Sequence, residues 1–189
     1  MARYPDKLFK QTFGQVHKHR LVGDIIRRFS NNRTDIYELA LKGLHFKEPV
    51  KVLDIGCGYG RFTGVLRQRV PAGSRCTGLD LLRENRQPFL ETARRIDPHA
   101  DFITGSADLI ESMTDNAYDL IISAYSLYFF SALIPQLARI LKPDGYLVII
   151  NHSRHFLNEL IQDVNLVLSQ SPFAGKTYLE HEKLLGNFN

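Results

Sequence analysis

Apolar positions fall into two regimes along this chain. In the first, Leu8, Phe13, Val16, Leu21, Ile25, Ile26 and Phe29 recur at roughly helical spacing, which predicts an amphipathic helical preface. The polar run Ser30-Asn31-Asn32-Arg33-Thr34 interrupts it. Thr34 or a neighbour can cap a second helix carrying Ile36, Leu39, Ala40 and Leu44. From Val50 onward short apolar runs alternate with helical patterns. Val50–Ile55 predicts a first strand, Arg61–Arg69 a helix, Arg75–Leu81 a second strand, and Phe89, Leu90, Ala93 and Ile96 another helix. Asp101–Thr104 and Tyr118–Ser123 follow as strands. A helix through Leu133, Ile134, Leu137, Ala138 and Leu141 stops at Pro143-Asp144-Gly145, before a fifth strand at Tyr146–Ile150. Proline ends the helix and Asp-Gly supplies the turn.

Strands that are apolar throughout, alternating with helices, imply a mostly parallel sheet covered on both faces. Right-handed crossovers make this a Rossmann-like, doubly wound α/β fold with an N-terminal helical extension. The expected organisation is a helical lid over residues 1–48, a ligand-binding core over 49–152, and a C-terminal helical segment over 153–189. That last segment carries Phe156, Leu160, Ile161, Val164 and Leu168.

Composition changes this picture little. With 189 residues, 44% hydrophobic and 23% charged, the chain can bury one sizeable core. Its longest apolar runs fall far short of the ~20 residues a membrane helix needs. Met1–Lys10 is too polar for a signal peptide. Cys57 and Cys76 lack metal-site spacing and cannot build a disulfide framework, so a reduced, cytoplasmic protein with no membrane partner and no metal is expected. The net charge of +4 is uneven: Arg3, Lys7, Lys10, Lys18, Arg20, Arg27, Arg28 and Arg33 face only Asp6 and Asp24. Such a stretch suits an anion-binding face or a solvated amphipathic helix.

The chemistry concentrates in Asp54-Ile55-Gly56-Cys57-Gly58-Tyr59-Gly60, where an apolar strand runs into a glycine-rich turn. Glycine lets a ligand approach the backbone, and the N-terminus of the next helix favours an anion. Either a dinucleotide pyrophosphate or the carboxylate of an amino-acid-bearing nucleoside would fit. Spacing separates the two. A dinucleotide fingerprint, G-x-G-x-x-G, would need glycine where Arg61 stands. Asp54, ahead of the first glycine, would repel a pyrophosphate but suits a ligand carrying an ammonium and a sulfonium. Asp80 ends the neighbouring strand, where a carboxylate can accept from both ribose hydroxyls.

Taken together, VLDIGCGYG, TGLDL, DFITGSADL, YDLIISAYSLYFF and LKPDGYLVII resemble the successive motifs of class I S-adenosylmethionine-dependent methyltransferases, and specifically their small-molecule branch. The resemblance covers about residues 50–151. It implies that Asp54, Gly56, Cys57, Gly58 and Tyr59 surround the methionine part of S-adenosyl-L-methionine, that Asp80 and Leu81 hold the ribose, and that Ser106, Ala107 and Asp108 lie near the adenine. The family often has an acidic residue directly after the glycine of this last motif; here Ser106 stands there and Asp108 follows. Ser123 and Tyr125 lie at the carboxyl edge of the fourth strand, where open parallel sheets bind ligands, and an aromatic face there could stabilise a sulfonium. Arg61 could pair with Asp54, with the cofactor carboxylate, or in a structural ion pair.

Methyl transfer from a sulfonium needs alignment first, and a base only if the acceptor must lose a proton. His152, just beyond the fifth strand, is the candidate; with His155 it lacks a third metal ligand. Helix capping or a core hydrogen bond would also account for it. An Asn-Pro-Pro-Tyr motif is absent after the fourth strand, where Ser123-Ala124-Tyr125-Ser126 stands. That turns the reading from nucleic acid toward a small-molecule acceptor, with S-adenosyl-L-homocysteine as the other product. Alternatives are a non-catalytic S-adenosylmethionine-binding regulatory module and a nucleic-acid or protein methyltransferase. The preface, through Ser30–Arg33 or Phe13 and His17, is expected to close the pocket. The family's sheet usually has seven strands and only five are legible here, so the chain is expected to be part of a longer protein. The tail would then be a truncated substrate cap, and the exposed sheet edge would favour a homodimer.

Overall fold

Alternation along the strands settles the layers. In β1 (Lys51–Ile55), Val52 packs into one apolar cluster while Leu53 and Ile55 pack into another. In β4 (Tyr118–Ala124), Leu120 and Ile122 join the first cluster and Ile121 the second. Successive side chains of a strand point to opposite faces, so the sheet has a buried core on each side. The computed structural model describes residues 16–153 and 158–169. The chain divides into two compact units, Met1–Ile150 and Asn151–Asn189.

In the first unit, β1, β2 (Arg75–Asp80), β3 (Asp101–Thr104), β4 and β5 (Leu141–Ile150) form a sheet of order β3-β2-β1-β4-β5. Every pairing is parallel. The chain leaves β1 for β2 and β3 on one side, then returns to place β4 and β5 on the other. That reversal beside β1 is where a doubly wound sheet opens a ligand crevice at its carboxyl ends. One face is covered by Phe62 of α3 (Arg61–Val65), by Leu66, and by Phe89, Leu90 and Ala93 of α4 (Arg86–Ala93). The other is covered by Leu137 and Ile140 of α5 (Ile134–Ile140) together with Ile110, Leu127 and Leu133. The α/β, Rossmann-like fold expected from the sequence is the fold observed.

Several boundaries differ. The helix after β1 gives way after Val65 to a tighter turn at Leu66–Gln68. Pro143-Asp144-Gly145 does not separate helix from strand: it lies inside the ten-residue β5. Tyr118 pairs with Leu141 but Leu120 with Tyr146, so these residues bulge out of the ladder. Because Pro143 has no N–H to donate, a bulge is one of the few places a strand can hold it.

The preface forms α1 (Val16–Phe29) and α2 (Ile36–Ala40). The cap of α2 is Asp35, which accepts from the backbone N–H of Tyr37 at 2.9 Å. In the second unit the described helix is α6 (Asn158–Ser169); Phe156 lies outside the described residues. No helix among the described residues is long and apolar enough to cross a membrane.

Candidate functional site

β1 delivers Asp54 to the crevice fully buried, opposite Gly78 of β2 and Ile122 of β4. Its carboxyl accepts a 2.6 Å hydrogen bond from the Thr63 hydroxyl. Burial pushes the Asp54 pKa up to about 7; the Thr63 bond works against this and the nearby Asp80 charge adds to it. A carboxyl poised there takes up or releases a proton near neutrality.

The turn that follows doubles back sharply. Gly56 has φ +67° and Gly58 φ +51°. Both values lie in the left-handed region that glycine enters without cost. At Gly56 the reason is also steric, since a Cβ would sit 2.4 Å from the Cβ of Ser126. At Gly58 it is the reverse, because a Cβ there would meet nothing within 4 Å. The backbone of Gly58 therefore borders open space. The turn is fastened to the end of β2: Gly56 N–H donates to the Leu79 carbonyl at 2.8 Å and Gly58 N–H to Asp80 Oδ2 at 2.8 Å.

Asp80 is the hub of this edge. Its other oxygen accepts from Leu82 N–H at 2.8 Å and from the Asn85 side-chain amide at 3.0 Å. Leu81, next to it, is exposed. Beyond β3 the N–H of Gly105 donates to the Asp80 carbonyl at 2.9 Å, which brings Ser106, Ala107 and Asp108 to the same edge. Ser106 and Asp108 act as a pair, the hydroxyl donating to the carboxylate at 2.9 Å.

Ser123 and Cys57 are placed differently from the rest. Ser123 has no exposed surface; its hydroxyl meets that of Ser126 at 2.7 Å, and Ser126 donates to the Ile55 carbonyl at 2.9 Å. Its place is in the support beneath the turn, not on the open side where ligand contact was expected. Cys57 is likewise buried, and burial holds its thiol well above its ordinary pKa. Tyr125 is half-buried with φ +56°, held by its N–H donating to the Ile150 carbonyl at 2.8 Å. Burial, then the Asp35 charge, raises its pKa.

The preface reaches the turn through Asp35, Tyr37 and Arg20, residues the sequence patterns did not single out for it. Arg61 pairs not with Asp54 but with Asp35, at 2.9 Å, and its guanidinium lies 5.1 Å from the centre of the Tyr37 ring. Burial pushes the Tyr37 hydroxyl up to about 12. From α1, Arg20 lies over the Tyr59 ring at 5.1 Å. Phe13 lies outside the described residues, and His17 and Arg33 are exposed. His152 belongs to the second unit, where burial lowers its pKa; His155 lies outside the described residues.

A family described as "Methyltransferase domain" matches residues 53–149, a stretch that runs from within β1 into β5 and includes the glycine turn. The chain belongs to this methyltransferase domain family. Among curated proteins, it is 36% identical over 126 residues to the trans-aconitate 2-methyltransferase of Delftia acidovorans, covering 65% of this chain and 45% of that protein. It is 38% identical over 101 residues to the protein of the same name from Enterobacter sp., covering 52% and 37%. The chain thus spans less than half the length of these curated relatives. A SAM-dependent methyltransferase from Aquifex aeolicus shares the fold, with TM-score 0.58 and 23% identity over 85% of this chain and 88% of that one.

Proposed function

We propose that this chain holds S-adenosyl-L-methionine across the carboxyl ends of β1, β2 and β3 and transfers its methyl group to a small-molecule acceptor, leaving S-adenosyl-L-homocysteine. The observation that carries the reading is the Gly58–Asp80 link: it holds a nucleoside-type carboxylate beside a turn whose backbone borders open space. The residues fit the group chemically. Asp54 supplies negative charge for an ammonium and sulfonium, and Asp80, buried at the end of β2 beside the open backbone of Gly58, brings a carboxylate to the edge where a ribose would lie. Ser106 and Asp108 offer a hydroxyl and a carboxylate for an adenine edge.

When bound, S-adenosyl-L-methionine supplies an electrophilic methyl on sulfur whose departure leaves a neutral thioether. What the chain contributes is position. Fixing the turn and the ribose carboxylate pre-pays orientation, an effect worth up to ~7–11 kcal/mol in well-aligned reactions. The curated relatives are named for trans-aconitate, so a small polycarboxylate is the acceptor to try first. A carboxylate oxygen is already ionised at neutral pH and needs no base, so the transfer does not call on His152.

In this reading residues 1–48 act as a lid, and the two free, buried cysteines suit a reducing, cytoplasmic setting. The outer edge of β5 suits pairing with a second copy. Calorimetry with S-adenosyl-L-homocysteine, S-adenosyl-L-methionine and NAD tests the core claim. One-to-one binding of the first two and none of NAD is expected; binding of NAD alone would overturn it. A regulatory module that binds the donor without transferring the methyl is the second reading, favoured by a match that covers less than half of each of these curated relatives. It predicts the same calorimetry with no methylated product from trans-aconitate or any other acceptor.

A further inference from the structure

Beside the glycine turn, on the side that α1 and α4 face, lies a cavity of about 320 Å³ lined by Arg20, Asp24, Tyr59, Gly60, Arg61, Thr92 and Arg95. Its volume is within the range of small-molecule pockets, and its lining is dominated by guanidinium groups from three separate elements. Two of the charges in or near it are already matched. Asp24 pairs with Arg27 on α1, and Arg61 pairs with Asp35. Among the described residues, neither Arg20 nor Arg95 has a carboxylate partner. The cavity therefore carries an uncompensated double positive charge.

The two cations are held in different ways. Arg20 lies over the Tyr59 ring, with 5.1 Å from guanidinium carbon to ring centre, within cation–π range. A guanidinium has a planar fork of N–H groups that matches a carboxylate in a bidentate manner. Arg95 lies just past the end of α4, whose last turn is closed by backbone bonds, among them Arg95 N–H to the Thr92 carbonyl at 3.2 Å. Thr92 stiffens the wall by donating toward the Tyr59 and Pro88 carbonyls at 3.4 and 3.2 Å.

We propose that this cavity is a binding site for a small di- or tricarboxylate, gripped by Arg20 and Arg95 with Arg61 at its rim. The identity of that ligand as the methyl acceptor rests on the function proposed above; the binding itself does not. A carboxylate held here ties α1 to α3 and α4 around Tyr59, so ligand binding also fixes the preface over the turn. One carboxylate of the molecule serves as the anchor and need not be the group that is methylated.

The test is calorimetric titration of the full chain with trans-aconitate, citrate and inorganic phosphate, run in parallel with S-adenosyl-L-homocysteine. Both tricarboxylates are expected to bind, more weakly as salt rises, and Arg95→Gln to lower their affinity at least tenfold while leaving that for S-adenosyl-L-homocysteine within twofold. Arg20→Gln should act in the same direction, with circular dichroism to verify that α1 persists. Arg28→Gln removes the same charge from the same helix outside the cavity and should change affinity less than twofold. The site is refuted if neither tricarboxylate binds, if Arg28→Gln costs as much as Arg95→Gln, or if phosphate binds as tightly as the tricarboxylates. Carboxylate binding without S-adenosyl-L-homocysteine binding would sink the methyltransferase reading and leave the site standing; the converse would do the opposite.

Discussion

The carboxylate of Asp80 accepts the backbone N–H of Gly58 at 2.8 Å, across 22 positions of sequence. The group expected to hold a ribose is therefore also the group that holds the turn. Asn at this position could keep only one acceptor oxygen. Its amide nitrogen would then face either the Gly58 N–H or the Leu82 N–H and Asn85 amide, donor against donor. Leaving a buried donor unsatisfied costs about 1–3 kcal/mol. Asp80→Asn should lower stability by about that much in urea unfolding and weaken S-adenosyl-L-homocysteine at least tenfold by calorimetry. A variant that loses affinity with no change in stability would mean the turn does not depend on this contact.

Gly56 and Ser126 give a sharper test of the same turn. Alanine at Gly56 brings its Cβ to 2.4 Å from that of Ser126, with φ at +67°. Overpacking costs about 1–3 kcal/mol, to which the left-handed backbone adds about 1–2. Gly56→Ala should therefore destabilise strongly. Ser126→Gly removes the colliding atom, so the double variant should be more stable than the sum of the two single effects. Additivity within about 0.5 kcal/mol would show that the two residues do not meet.

Much of the site was legible because its signals are local. A strand, three glycines and a helix start lie within ten residues, and Asp80 follows at the end of the next apolar run, so topology alone brings it to the turn. The partners of these residues were not legible. Thr63 on Asp54, Asn85 on Asp80 and Ser126 beneath Gly56 are ordinary polar residues until the chain is folded. Asp35 and Arg61 lie 26 positions apart, and no periodicity links a short capped helix to the far side of a turn. In β5 the local signal was present but misleading: Pro-Asp-Gly is turn chemistry, and only the pairing of Leu141 with Tyr118 draws it into a strand.

Asp35 has two tasks, and substitution should separate them. It caps α2 through Tyr37 N–H and pairs with Arg61 at a partly exposed site. Losing a cap costs about 0.5–2 kcal/mol, whereas a pair of this exposure contributes about 0–1. Asp35→Ala should thus destabilise more than Arg61→Met, and Asp35→Asn, which can still cap, should fall near Arg61→Met. Thermal unfolding of the three variants decides it; equal losses for Asp35→Ala and Asp35→Asn would assign the whole effect to the ion pair.

Asp54 predicts a pH dependence of both stability and donor binding. Its folded pKa is about 7 against an ordinary value of 3.8. Below the lower value both states hold the proton. Between the two values the unfolded chain releases it and the folded chain does not, so this group's contribution to stability is lost as pH rises through about 7 and is level above. Asp54→Asn, which can still accept from Thr63, removes that loss, so its stability relative to the native chain should rise across the same window. A cationic donor prefers the ionised carboxylate. Affinity for S-adenosyl-L-methionine should therefore climb toward pH 7 in the native chain, with proton release on binding, and stay flat in Asp54→Asn. Titrations in two buffers of different ionisation enthalpy measure that proton directly. Its absence at pH 6 would mean that Asp54 keeps its proton when the donor binds.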